Sequence, residues 1–173
     1  MGYNPTEFLE NARDFCIFAH GDQRRKYTQA PYYDHCFEVA AIVAEVTDDP
    51  EVIAAALLHD VVEDTIFTLA HIQRDFGARV ALLVYEVTDV SRPEDGNRRV
   101  RKLIDRAHLA ESSPEGATIK LADTISNTKD IMKHDPNFAK VYLKEKRELL
   151  PLLTHGDKKL WAEANGIVNG GGK

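Results

Sequence analysis

Cysteine is scarce. Cys16 and Cys36 are the only two, too few for a disulfide framework, and the simplest compartment is a bacterial-type cytoplasm with both thiols reduced. The opening residues, Met1-Gly2-Tyr3-Asn4-Pro5, lack a positive stretch followed by an apolar run, so no secretory signal is expected. The longest apolar run, Val52 to Leu58, falls far short of the roughly 20 residues that span a bilayer, so no membrane partner is expected. Convincing apolar–polar alternation is missing as well. The one β-rich stretch, Val80 to Val87, carries Ala81, Leu82 and Leu83 at helical spacing. Basic residues are in deficit: 22 Lys and Arg against 28 Asp and Glu leave a net charge of −6. That balance excludes a general nucleic-acid coat protein, although a small anionic ligand needs only a local basic pocket. No repeat at solenoid periods appears.

What is present reads as one all-α domain. A chain of 173 residues buries enough surface to fold without staples, and 43% hydrophobic content is ordinary for a globular protein. Phe8, Ala12, Phe15, Cys16 and Ala19 share one helical face, while Val52 to Leu58 is apolar all round and reads as a central buried helix. A second stripe runs through Phe138, Val141, Tyr142, Leu149, Leu152 and Leu153. Four prolines follow a capping residue, at Asn4-Pro5, Asp49-Pro50, Ser113-Pro114 and Asp135-Pro136, which marks four helix starts. Thr68 is a further cap and Gly77 a stop. The expected helices lie near 5–20, 36–47, 50–63, 69–76, 78–88, 97–110, 115–133, 136–150 and 156–167, with Pro151 ending the eighth. Residues 1–168 form the expected domain and 169–173 a frayed tail.

The chemistry concentrates where an apolar helix ends in ionisable groups, at Leu58-His59-Asp60-Val61-Val62-Glu63-Asp64-Thr65. Buried charge without a partner is costly, so His-Asp on a core helix needs a reason. Two other positions share that character. His35 follows Pro31-Tyr32-Tyr33-Asp34, and Asp123 sits in Ile119-Lys120-Leu121-Ala122-Asp123 with Asn127 one turn on. Each alone has an ordinary reading as a helix-end or ion-paired residue. Together, His35, His59, Asp60 and Asp123 are two imidazoles and two carboxylates, a set suited to a first-row divalent cation between core helices.

These strings resemble the HD-domain metal-dependent phosphohydrolase superfamily, named for its His…His-Asp…Asp ligands. Within it, the chain most resembles the hydrolase domain of RelA/SpoT proteins and the Mesh1-like small alarmone hydrolases. The resemblance spans roughly residues 8–131. It rests on Gln23-Arg24-Arg25-Lys26, Pro31-Tyr32 with His35, Ala55-Ala56-Leu57-Leu58-His59-Asp60, Val62-Glu63-Asp64-Thr65, Phe76-Gly77-Ala78, Glu86-Val87-Thr88-Asp89, and Lys120-Leu121-Ala122-Asp123 with Asn127.

The resemblance implies an HD-type helical bundle in which His35, His59, Asp60 and Asp123 hold one metal ion per chain, usually Mn²⁺. It assigns Glu63 and Asp64 to orienting or deprotonating the attacking water. Arg25 and Lys26 would hold the base with Arg24 nearby in the substrate loop, Arg98 would face phosphate, Asn127 would contact ribose or phosphate, and Tyr142 would approach the sugar. The implied substrate is a small nucleotide of the stringent response, guanosine 3′,5′-bis(diphosphate) or its pentaphosphate counterpart. Hydrolysis would leave GDP or GTP and pyrophosphate in the cytoplasm. No serine, cysteine or glycine-rich phosphate loop supports a covalent route. Oligomeric state is open, a homodimer included. The sequence departs from the family at Cys36, where a proline is usual, and at Thr124-Ile125-Ser126 and Thr128-Lys129, which replace a more basic and aromatic pattern. Those positions flank the expected pocket, so an alternative stays open: an HD phosphohydrolase acting on another nucleotide, as a 5′-nucleotidase, a nucleoside triphosphate hydrolase or a 2′/3′-nucleotide phosphatase. A non-catalytic module is the third reading, disfavoured because all four ligand positions are filled.

Overall fold

The computed structural model describes residues 4–170. They form ten α-helices, two short 3₁₀ turns and no strand. Contacts divide the chain into two compact units, residues 1–88 and 89–173.

The first unit holds α1 (Pro5–His20), α2 (Tyr33–Ala44), α3 (Pro50–Leu58), α4 (Val61–Asp64), α5 (Leu69–Phe76) and α6 (Ala78–Val87). α3 is its centre and packs on α1, α2 and α6. Val52, Ala54, Ala55, Ala56, Leu57 and Leu58 are all buried, as an apolar-all-round helix must be. α1 contributes Ala12 and Cys16, while Phe15 packs edge-on against Phe67 and Phe76 at 4.9 and 5.4 Å. Gly77 separates α5 from α6 at φ 93°, a conformation that favours glycine. Its amide closes α5 on the Gln73 carbonyl.

The second unit holds α7 (Arg98–Ala110), α8 (Pro114–His134), α9 (Pro136–Leu149) and α10 (Lys158–Gly170). α8 packs on α9 and α10 and buries Ile119, Leu121, Ala122 and Ile125 completely. A Cβ on Gly156 would stand 2.9 Å from Leu121 Cδ1 and 3.1 Å from the Ala117 carbonyl carbon, so glycine is required by close approach. The buried Asp105 carboxylate is satisfied by the Val90 and Ser91 amides and the Ser91 hydroxyl at 2.9–3.1 Å, which fixes the loop before α7.

All four proline-linked caps form. Side chains of Asn4, Asp49, Ser113 and Asp135 accept from amides of the first turn at 3.0–3.1 Å. Three expectations change. The helix expected over 50–63 breaks after Leu58, and His59-Asp60 form a turn before α4. The expected stripe from Phe138 to Leu153 holds only in part: Leu149 and Leu153 are buried and Phe138 and Tyr142 half-buried, but Val141 and Leu152 are 48% and 38% exposed, and Ala139, Leu143 and Leu150 join the buried face. Asn169 and Gly170, expected to fray, close α10, and residues 171–173 lie outside the described residues.

Candidate metal centre

His59 and Asp60 occupy the turn between α3 and α4. His59 Nε2 stands 3.1 Å from Asp60 Oδ2. His35, in the first turn of α2, places its Nε2 3.6 Å from the same oxygen. Both imidazoles are buried, and their rings meet edge to face at 5.3 Å. His59 Nδ1 lies 2.8 Å from the Ala56 carbonyl oxygen. A carbonyl only accepts, so Nδ1 carries the hydrogen and Nε2 turns its lone pair toward Asp60. A lone pair and a carboxylate oxygen at 3.1 Å repel unless a proton or a cation lies between them. Two imidazole nitrogens and one carboxylate oxygen around a shared point fit a first-row divalent cation.

Tyr32 holds the carboxylate. Its hydroxyl donates to Asp60 Oδ2 at 2.8 Å, and its ring lies against His20 and His35 at centroid distances of 4.9 and 5.9 Å. Burial, then the Asp60 and Asp64 charges, push the phenol far above its ordinary range, so it stays a donor at any physiological pH. Glu63 and Asp64 lie one turn beyond on α4. Burial and the Asp60 charge raise the Asp64 carboxyl. The basic loop is tied to the same turn, because Gln23 Nε2 donates to the Asp64 carbonyl at 2.7 Å. Arg24, Arg25 and Lys26 follow Gln23 in a hairpin-like excursion. It is closed by Arg25 N to Ala30 O at 2.8 Å and Tyr32 N to Gln23 O at 3.0 Å. Arg24 and Lys26 are exposed, and Arg25 is half-buried.

In the second unit, Asp123 is buried on α8. Asn127 Nδ2 donates to its Oδ1 at 2.6 Å, and Lys120 Nζ stands 3.1 Å from its Oδ2. Asn127, expected at ribose or phosphate, here donates to that carboxylate. Arg98 makes a two-point pair with Glu145 at 2.6 and 2.8 Å. Arg98 and Tyr142 share a cavity of about 110 Å³ with Asp89, Lys102, Lys120 and Lys146. At helical spacing Arg98, Lys102 and Arg106 line it together, and Arg99 and Arg101 do not. Lys146 is the residue that sequence reading missed. Its ammonium sits over the Tyr142 ring at 4.9 Å, and burial, then Lys120 and Lys102, push its pKa down to about 8. The available signal was its register, three residues before Leu149 and three after Leu143, on the face that α9 buries.

The sequence profile of the HD domain matches residues 12–149. The chain belongs to the HD-domain family. Its fold is the all-helical HD fold, and HD hydrolases are metal-dependent. This HD-domain chain is 40% identical over 140 residues to guanosine-3′,5′-bis(diphosphate) 3′-pyrophosphohydrolase MESH1 of Mus musculus, covering 79% of the chain and 75% of that protein. The human MESH1 gives the same identity and coverage. A guanosine-3′,5′-bis(diphosphate) 3′-pyrophosphohydrolase of Aquifex aeolicus is 34% identical over 150 residues, 87% of this chain but 21% of that protein. Among solved structures, a metazoan ortholog of SpoT that hydrolyzes ppGpp superposes with a TM-score of 0.87 at 29% identity, over 99% of both chains. No helix of the described residues is long and apolar enough to cross a membrane.

Proposed function

We propose that this HD-domain chain is a cytoplasmic, Mn²⁺-dependent pyrophosphohydrolase that removes the 3′-diphosphate of guanosine 3′,5′-bis(diphosphate) or its pentaphosphate counterpart. The observation that carries the reading is the convergence of His35 Nε2, His59 Nε2 and Asp60 Oδ2 in a chain 40% identical to enzymes of that name. His35, His59 and Asp60 are three ligands of the cation, and Asp123 is the fourth. A divalent cation there supplies Lewis acidity toward water and phosphoryl oxygen.

The chain's own residues do the rest. Tyr32 keeps Asp60 in place by its hydrogen bond, and Asn127 and Lys120 do the same for Asp123. Glu63 and Asp64 orient the attacking water and take its proton, and the raised pKa of Asp64 suits a proton acceptor. Water adds to the phosphorus linked to the 3′-oxygen. The bond between phosphorus and that oxygen breaks, the oxygen gains a proton, and pyrophosphate leaves beside GDP or GTP. Arg24, Arg25 and Lys26 hold the purine by stacking and charge. Arg98, with Tyr142 and Lys146 beside it, lines a basic pocket for the remaining phosphates and the sugar.

The test is turnover of guanosine 3′,5′-bis(diphosphate) by purified protein with added Mn²⁺, resolving pyrophosphate from orthophosphate. Pyrophosphate and GDP, abolished by a chelator and by Glu63→Gln with metal content retained, are the expected result. Orthophosphate release, or cleavage only of another nucleotide, refutes the substrate assignment and favours a broader nucleotide phosphohydrolase.

A further inference from the structure

The chain's only two cysteines, twenty positions apart in sequence, meet in the interior of the first unit. Cys16 on α1 and Cys36 on α2 are fully buried, and His20, one turn after Cys16, is 2% exposed. One ligand atom from each of the three lies within 4.8 Å of the other two. The orientation of His20 is set. Gln23 donates through Nε2 to the Asp64 carbonyl, so its Oε1 accepts the hydrogen of His20 Nδ1 at 2.8 Å. The Nε2 lone pair then faces inward, 3.7 Å from Cys36 Sγ. A histidine whose outer nitrogen donates to a fixed acceptor has the arrangement typical of metal-bound imidazole. With metal–sulfur and metal–nitrogen bonds of about 2.3 and 2.0 Å, tetrahedral ligation separates nitrogen from sulfur by about 3.5 Å, close to this spacing.

We propose that Cys16, His20 and Cys36 form a second cation site, one that takes Zn²⁺ and is separate from the centre at His35, His59 and Asp60. Sulfur donors decide the preference. Two thiolates and an imidazole select a softer ion than the imidazole–carboxylate set does. Consecutive residues on α2 project about 100° apart, so His35 serves one site and Cys36 the other. The two sites share a wall, because Cys36 Sγ also lies within 4.8 Å of ligand atoms of His59 and Asp60.

The experiment uses Co²⁺ as the spectroscopic stand-in, added to full-length protein that has been stripped by chelator, kept reduced and supplied with Mn²⁺. Thiolate-bound Co²⁺ gives an intense ultraviolet charge-transfer band. With two cysteines in the chain, such a band arises from Cys16 or Cys36, and because Cys36 Sγ also nears His59 and Asp60, its loss in Cys16→Ser is what assigns it to this site. The expected result is a band at one Co²⁺ per chain, bleached by Zn²⁺, retained in His35→Ala and lost in Cys16→Ser. His20→Gln weakens Co²⁺ binding by at least tenfold. Absence of the band in the wild-type protein overturns the proposal, even if the variants fail to fold. A Cys16–Cys36 disulfide, seen as no free thiol on denaturation of unreduced protein, also overturns it. The readout involves no nucleotide, so it succeeds or fails independently of the hydrolase reading.

Discussion

Removing one oxygen atom at Tyr32 tests how the centre is held. Tyr32→Phe keeps the ring that lies against His20 and His35 and deletes only the hydroxyl that donates to Asp60 Oδ2 at 2.8 Å. A hydrogen bond to a charged group contributes about 1.5–3 kcal/mol. At about 1.4 kcal/mol per factor of ten, losing it should weaken divalent-cation binding roughly 10- to 150-fold. That range overlaps the roughly 10–100-fold cost typical of losing a partner of a metal ligand. Mn²⁺ affinity is measured by calorimetry on stripped protein, and turnover is followed against Mn²⁺ concentration. The expected pattern is a higher Mn²⁺ requirement with kcat only partly restored at saturating metal, since Glu63 is untouched but Asp64 also loses its hydrogen bond with the Tyr32 hydroxyl. Unchanged Mn²⁺ affinity with a folded variant would show that Asp60 is not a ligand, or that its orientation does not depend on Tyr32.

Asp60→Ala should abolish Mn²⁺ binding and turnover together, and metal analysis showing full occupancy would refute the ligand assignment. Gly156→Ala forces a Cβ to 3.1 Å from the Ala117 backbone, which cannot swing away as the Leu121 side chain can. It should cost about 1–3 kcal/mol and lower Tm by several degrees in a thermal melt, whereas an unchanged Tm would sink the packing argument. Lys146 has a folded-state pKa of about 8, below the ordinary lysine value of about 10.4. The unfolded chain therefore binds its proton more tightly, the full penalty is present below about pH 8, and stability from this group rises from there toward about pH 10.4. Lys146→Met should remove that rise and stabilise the protein at neutral pH, as read by denaturant unfolding across this range; a parallel pH profile in both proteins would be inconsistent with it.

The parts of the molecule legible in the sequence are those governed by local rules. The proline-linked caps, the buried α3 and the stop at Gly77 depend on residues a few positions apart, and all form as expected. The break at His59-Asp60 was not legible, because Ala54 to Asp64 contains no glycine or proline to signal it. The stripe along α9 was legible only in part, with Leu149 and Leu153 buried as expected. Val141 and Leu152 are apolar yet exposed, while the half-buried Lys146 sits between the buried Leu143 and Leu149, so hydropathy alone misplaced part of the stripe. Roles that depend on distant partners were also hidden. Tyr32 reaches Asp60 across 28 positions and Gln23 reaches Asp64 across 41, and no spacing rule connects such pairs.

The division of the chain into consecutive halves gives its synthesis a direction. Every helix of the first unit belongs to residues 1–88, so none of its internal contacts waits for later sequence. Translation proceeds at roughly 5–20 residues per second, so the second half takes about 4 to 17 s to emerge. Helical units rich in local contacts close in microseconds to milliseconds. Residues 89–123 take about 2 to 7 s of that, so the half that carries His35, His59 and Asp60 has on the order of a thousand or more folding times in hand before Asp123 is made, and the ribosome itself sets the order in which the two halves of the protein come into being.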